Sequence, residues 1–505
     1  MPFLAPEALR AGPMAWHALA SAHPHPGRMT PPPDPGSPRG ARPGRLLAAL
    51  AAGALVGVFP VPAQVEPRGW ALLAVFIATV VGIVARALPM GAVAVLALGA
   101  VLLTGTLTLD EALAGFSNDT VWLIVSAFLL AGTFIRTGLG RRVAYSFMSL
   151  FGHRTLGLSY SLMATDLVLA PFIPSHTARA GGVVFPLLQS VAHSSFGAVE
   201  SPEARRTAGF LTLAAYQCSV VVSGMFLTAM AANPLAVEFA AQQGIEIGWG
   251  TWALAALVPG AVSLALVPVL VSLLHPPAVR RTPRARELAR EGLAALGPMR
   301  RDEKILLAVF AGLLLAWSLA GVLEVEPTAS VFGALGVLLL AGALRWDDVV
   351  REHEAWNTFV WFATLVMMAG ELGSLGVTRW FADSVTGTLG DVGWVVGFLA
   401  VALAYFYSHY LFAGNTPHVS SMYAPFLAIA LALGTPPLLA AFTLGFFSNL
   451  FAGLTHYAAG VAPVFFGAGW VPLGTWWRVG GLLSLFNVAN FLLVGGAWWK
   501  LLGLW

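Results

Sequence analysis

Residues 171–182 read Pro171-Phe172-Ile173-Pro174-Ser175-His176-Thr177-Ala178-Arg179-Ala180-Gly181-Gly182, and they interrupt the otherwise apolar stretch 155–191. A segment in hydrocarbon tolerates such a run only where the chain turns inside the protein, because every backbone N–H and C=O there needs a partner. The stretch reads as a re-entrant hairpin with its tip at 171–182. A second apolar stretch, 392–433, is interrupted in the same way at Ala413-Gly414-Asn415-Thr416-Pro417-His418.

The rest of the chain agrees with a membrane setting. Of its 505 residues 58% are hydrophobic and only 10% charged, against roughly 25% charged in soluble domains. Apolar runs at 46–59, 70–88, 91–107, 120–138, 207–232, 251–274, 305–323, 328–344, 357–377, 437–458 and 478–498 predict about eleven crossings, most near the ~20 residues a spanning helix needs. The expected fold is an all-α polytopic membrane protein with these crossings and two re-entrant hairpins. A formal net charge of +3 leaves no nucleic-acid footprint. The single cysteine, Cys218, excludes an intrachain disulfide and a thiolate metal site.

Residues 1–45, rich in proline and arginine, read as a disordered basic cytoplasmic tail, with Met29 as an alternative start. Residues 46–274 form a first half, with the hairpin at 155–191 and a broken helix near 229–234. Residues 275–304 hold Arg280, Arg281, Arg284, Arg286, Arg290, Arg300, Arg301 and Lys304 and read as a basic cytoplasmic loop. Residues 305–505 form the second half, with the hairpin at 392–433 and a broken helix near 455–463. An offset of 239 carries Asn118 onto Asn357, Trp122 onto Trp361 and Thr177 onto Thr416. Five crossings lie between equivalent points, and that odd number inverts the second copy relative to the first.

Each hairpin tip places hydroxyl and amide side chains just before a new helix, where free N–H groups and the positive end of the helix dipole favour an anion. Ser175, Thr177, Asn415 and Thr416, with Gly414 at the second turn, are suited to hold the two carboxylates of a dicarboxylate; the alternative is that they only cap helices. His176, Arg179, His418 and His456 stand beside the breaks, where they can complement a dianion or serve as structural hydrogen-bonding groups. Asp166, Glu238 and Glu371 read as structural or rim charges. At the second pair of breaks, Ala229, Asn233, Thr455, His456, Ala458 and Gly460 either coordinate a cation or mark packing kinks. A membrane-embedded metal enzyme using His409, His418 and His456 is the alternative from another class, although no H-E-x-x-H pattern accompanies them.

Several motifs together resemble the divalent anion:sodium symporter family, particularly its plastid 2-oxoglutarate/malate translocators and bacterial citrate and tartrate:succinate exchangers. They are Leu88-Pro89-Met90-Gly91-Ala92-Val93, the run 173–182, Met225-Phe226-Leu227-Thr228-Ala229-Met230-Ala231 with Asn233-Pro234, His409-Tyr410 with Thr416 and His418-Val419, and 449–469 including Leu454-Thr455-His456-Tyr457. The resemblance implies a homodimer whose scaffold helices stay fixed while a transport unit carries the tips across; a bacterial inner membrane is the expected location, with the basic N-terminus cytoplasmic by the positive-inside rule. It implies di- or tricarboxylate substrates and no organic cofactor. Sodium-coupled members carry Ser-Asn-Thr at both tips, whereas this chain has Ser175-His176-Thr177 and Gly414-Asn415-Thr416. Imidazole is a poor ligand for a hard cation. The first sodium site is therefore in doubt, sodium remains conceivable at Asn415 and Ala458, and anion exchange is favoured over sodium symport.

Overall fold

The computed structural model describes residues 41–196, 199, 201–318, 325–389 and 393–505. The expected tail falls outside the described residues except for 41–45, as do positions 319–323 of one expected crossing and the first residue of the second hairpin. All regular structure among the described residues is helical apart from one isolated bridge between Arg154 and Arg281.

In chain order the first half comprises α1 (Pro43–Val58), α2 (Pro67–Val84), α3 (Met90–Leu103), the short α4 (Leu109–Leu113) and α5 (Asp119–Thr137). There follow α6 (Leu139–Phe151), α7 (Thr155–Leu169), a π-helical turn (Thr177–Val184) leading into α8 (Phe185–Phe196), α9 (Pro202–Met225), α10 (Ala232–Ala241) and α11 (Trp249–Leu274). After α12 (Pro283–Leu296), the second half repeats the sequence of elements. It has α13 (Arg301–Ser318), α14 (Pro327–Leu340), the short α15 (Trp346–Arg351), α16 (His353–Ser374) and α17 (Val377–Leu389). It closes with α18 (Trp394–Tyr407), α19 (Asn415–His418), a π turn (Val419–Tyr423), α20 (Ala424–Ala432), α21 (Pro437–Leu450), α22 (Ala462–Gly467), α23 (Leu473–Asn490) and α24 (Gly496–Leu501).

The repeat is visible in its irregularities. A π turn follows each hairpin tip, and a short 3-10 turn (Leu227–Ala229, Phe451–Gly453) breaks the helix after each hairpin. The two broken helices run antiparallel: Tyr216 and Gln217 of α9 donate to the carbonyls of Ala452 and Gly453, whereas Asn233, beyond the end of α9, accepts from Asn449 further back along α21. The second copy is therefore inverted. Helix α9 forms the centre of the fold; the apolar window within it is completely buried, and Trp252 and Trp476, both fully buried, pack around it.

Both interrupted stretches are hairpins. In the second, a Cβ added to Gly397 near the base would lie 2.9 Å from Leu433 across the arms, while His409 meets His418 near the tip. In the first, Asp166 on α7 reaches Arg179 beyond the tip.

The expected count of eleven crossings is not matched by helix length alone. Among the described residues five helical segments are long and apolar enough to span a membrane, or up to seven if two bent pairs, Leu109–Ser117 with Asp119–Phe134 at 48° and His353–Ser374 with Val377–Val385 at 69°, are each one span. Several expected runs give shorter helices because turns end them early. The run 91–107 yields α3, which stops at Thr104-Gly105, where Gly105 has φ 65°. The run 207–232 is split at Phe226 and Met230, whose backbones are extended. Asn118 caps α5, accepting from the N–H of Val121, whereas its counterpart Asn357 lies inside α16. Three amphipathic helices, α6, α12 and α17, were not expected. Residues 275–304, read as a loop, contain α12, which lays Ala285 and Ala289 inward and Gly292 against Tyr145 of α6.

Candidate functional site

The two tips meet. Ser175, His176 and Thr177 from the first and Ala413 through Pro417 from the second line one cavity of about 360 Å³, within the usual range for a small-ligand site. The break after α9 contributes Met230 and Ala231, and the equivalent break after α21 contributes Ala459 and Gly460. The opposite wall comes from the α2–α3 turn (Ile83, Arg86, Leu88, Pro89, Met90), from Phe128, and from α16 (Glu354, Asn357, Thr358, Trp361).

At the rim Arg86, Glu354 and Asn357 are exposed. They lie on the face that carries the basic segment. Arg42 N–H and the Arg45 guanidinium, at the start of α1, hold the carbonyls of Ala87 and Ala85. Arg136 pairs with Asp348 of α15, just ahead of α16, while Arg300 donates to the neighbouring Thr137 carbonyl at 2.6 Å.

The tips are built by the local rules of helix initiation. Ser175 Oγ accepts from the N–H of Ala178 at 3.2 Å, so this hydroxyl acts as a helix cap while lining the cavity. Gly414, at φ 152°, occupies a left-handed region that favours glycine, and the tip helix starts immediately after it. Asn415 donates its amide to the Ser448 carbonyl at 2.9 Å, leaving its Oδ1 as the acceptor. Thr177 is exposed to the cavity and Thr416 partly so. Gly460 lets the second-half break approach the first tip: a Cβ there would stand 3.0 Å from Thr177 Oγ1. First-turn N–H groups lack intrahelical acceptors, so both tips offer donors and a positive dipole end to one cavity.

The basic side chains divide by location. His176 lines the cavity, with Nε2 2.8 Å from Ser219 Oγ. Arg179, by contrast, is fully buried and is not among the lining residues. Its Nε donates to Asp166 Oδ1 at 2.5 Å, Nη1 to the carbonyls of Ile173 and Ala229, and Nη2 to Ser223 Oγ. It clamps the arm, the tip and the broken helix together, and Asp166 offsets its charge. His418 is likewise buried away from the cavity, with Nε2 3.1 Å from Ser408 Oγ and Nδ1 3.1 Å from His409 Nδ1. His456 accepts from the Trp477 indole at 3.3 Å and does not line the cavity.

Each of the second pair of breaks presents an alanine carbonyl, Ala229 within the first 3-10 turn and Ala458 beyond the end of the second. Both alanine carbonyls already accept an N–H: Ala229 from Arg179 Nη1 and Ala458 from His409 Nε2, each at 2.8 Å. A carbonyl only accepts, so His409 carries its proton on Nε2, and the short Nδ1 contact shares one proton between the two rings. Asn233 is a buried linker, donating to the carbonyls of Ser223 and Phe226 and accepting from Asn449. Thr455 Oγ1 is buried without a partner among the described residues. Trp361 lines the cavity, while Trp122 packs on Phe332 and Phe359. Sequence reasoning missed Arg86 and Glu354 as rim residues and the donor role of His409.

Comparisons with known proteins follow the same lines. Residues 41–505 match the family described as the sodium:sulfate symporter transmembrane region. The chain is 45% identical over 463 residues to dicarboxylate transporter 1, chloroplastic, of Spinacia oleracea, covering 91% of this chain and 81% of that one. It is 34% identical over 475 residues to the inner membrane protein YbhI of Escherichia coli (strain K12), covering 91% and 98%. Among solved structures, the Alcanivorax borkumensis YdaH transporter shares the fold with a TM-score of 0.55 at 13% identity, over 91% of this chain and 97% of that one. An inverted helical repeat with two facing tips, matched from residue 41 to the C-terminus, places this integral membrane protein in the sodium:sulfate symporter family, a family of transporters and not of enzymes.

Proposed function

We propose that the chain is a secondary transporter of four- and five-carbon dicarboxylates, such as malate, succinate and 2-oxoglutarate, that works by sodium-independent anion exchange. The plant relative's printed name supports the substrate class, and the cavity supports it chemically. Thr177 and Thr416 stand at equivalent points of the two tips, lining one space, so each tip can receive one carboxylate. The observation that carries exchange is the engagement of both break carbonyls, Ala229 and Ala458, by the protein's own N–H donors.

Alternating access follows from the inverted repeat. The tips and broken helices move as a transport unit past scaffold helices α2, α3 and α16, in an elevator motion within a homodimer, as the family resemblance implies. Arg179 is neutralised by Asp166, so the positive character that a dianion offsets comes from the tip-helix N-termini. An unloaded unit then carries uncompensated positive character into hydrocarbon, while a loaded one does not. The N-terminus and the basic segment face the cytoplasm by the positive-inside rule, and the cavity opens to that side.

Sodium symport is the second reading. The family description names sodium, and Asn415 keeps an amide oxygen as an acceptor beside the second break. Counterflow into proteoliposomes loaded with malate, succinate, 2-oxoglutarate, citrate, tartrate or sulfate, with and without sodium, tests both substrate and coupling. Exchange of C4 and C5 dicarboxylates at equal rates in sodium and choline is expected; transport of sulfate alone would overturn the substrate class.

A further inference from the structure

Arg86 sits at the α2–α3 turn with φ 52°, a left-handed conformation disfavoured for a residue bearing a side chain. The turn is pinned by Arg86 N–H to the Ile83 carbonyl at 3.0 Å, by Ala87 N–H to Gly82 at 2.9 Å, and by Arg42 and Arg45 from α1. This bracing points the guanidinium across the cavity rim. Nη2 donates to the carbonyl of Ala413, at the start of the second tip, at 3.0 Å. Among the described residues lining the cavity Arg86 is the only arginine or lysine, and no carboxylate there forms an ion pair with it.

A guanidinium has five N–H donors, and a carboxylate is a stronger acceptor for them than a neutral carbonyl. Its place on Ala413 is therefore a resting position that an arriving anion can take over. We propose that Arg86 is a substrate-binding residue contributed by the fixed wall, which contacts the outer carboxylate of a dicarboxylate only when the cavity opens to the face carrying Arg86. The proposal rests on the exchange reading above. Because the α2–α3 turn stays behind when the tips move, Arg86 adds to recognition on one face and not on the other, and it makes the two faces unequal in apparent affinity.

The test is exchange in proteoliposomes of defined orientation, varying succinate on one side with saturating succinate on the other. Arg86→Gly suits the backbone at φ 52° and removes only an exposed side chain, so its thermal midpoint in detergent should equal or exceed that of the wild type. Its KM on the Arg86 face should rise roughly tenfold, the scale of one lost charge-assisted hydrogen bond at a partly wet site, while the KM on the opposite face stays within about twofold. Arg86→Gln, which retains a neutral donor, should fall between. An unchanged KM on the Arg86 face, or equal increases on both faces, would overturn the assignment while leaving dicarboxylate exchange intact. Absence of succinate exchange by the wild type would instead remove the functional reading, and this inference with it.

Discussion

Arg179→Ala tests whether the most buried arginine serves the fold or the ligand. Its side chain and that of Asp166 are 0% and 2% exposed, with Nε and Oδ1 2.5 Å apart. Asp166 Oδ2 has no partner among the described residues, so removing the guanidinium strands a whole carboxylate in the interior, along with the carbonyls of Ile173 and Ala229. Breaking a buried pair from one side costs about 3–5 kcal/mol. Removing both charges with Asp166→Leu and Arg179→Met should recover most of the ionic part, leaving a deficit of about 1–2 kcal/mol from the unpaired carbonyls. The assay is unfolding in detergent, with dicarboxylate affinity measured on the protein that remains folded. A single variant as stable as the wild type, or one with normal stability and abolished dicarboxylate affinity, would refute the clamp and return Arg179 to the site.

Three further substitutions address the cavity. Thr177→Ala and Thr416→Ala should each weaken dicarboxylate binding by about 1–3 kcal/mol, the cost of losing a hydrogen bond to a charged group, as read by calorimetry; wild-type affinity in both would put the site elsewhere. Gly460→Ala would bring a Cβ to 3.0 Å from Thr177 Oγ1, displacing that hydroxyl, and should lower affinity several-fold with little change in the unfolding midpoint. An unaltered affinity would mean that Thr177 does not donate to substrate.

The hairpins and the inverted repeat were legible because prolines, glycines and hydroxyls inside apolar runs admit few structures in a membrane. Helices α6, α12 and α17 were not, since their polar faces lower the mean hydropathy on which crossings are counted. Arg179 looked like a site cation because its partner, Asp166, lies 13 positions away across a turn, and no periodicity reveals that pairing. Arg86 stood at the end of an apolar run, where an arginine ordinarily snorkels to the interface. The offset of 239 aligned the tips but not the breaks, so the shared engagement of Ala229 and Ala458 emerged only from the three-dimensional arrangement.

The most direct measurement of the coupling is net uptake of labelled succinate into proteoliposomes that contain no counter-substrate, under an inward sodium gradient. Sodium-independent exchange predicts no accumulation above protein-free liposomes, and rapid uptake once unlabelled succinate is loaded inside, equally in sodium and in choline. Robust accumulation into the empty liposomes, driven by the sodium gradient, would contradict exchange and establish symport, with a cation bound despite the N–H donors on Ala229 and Ala458.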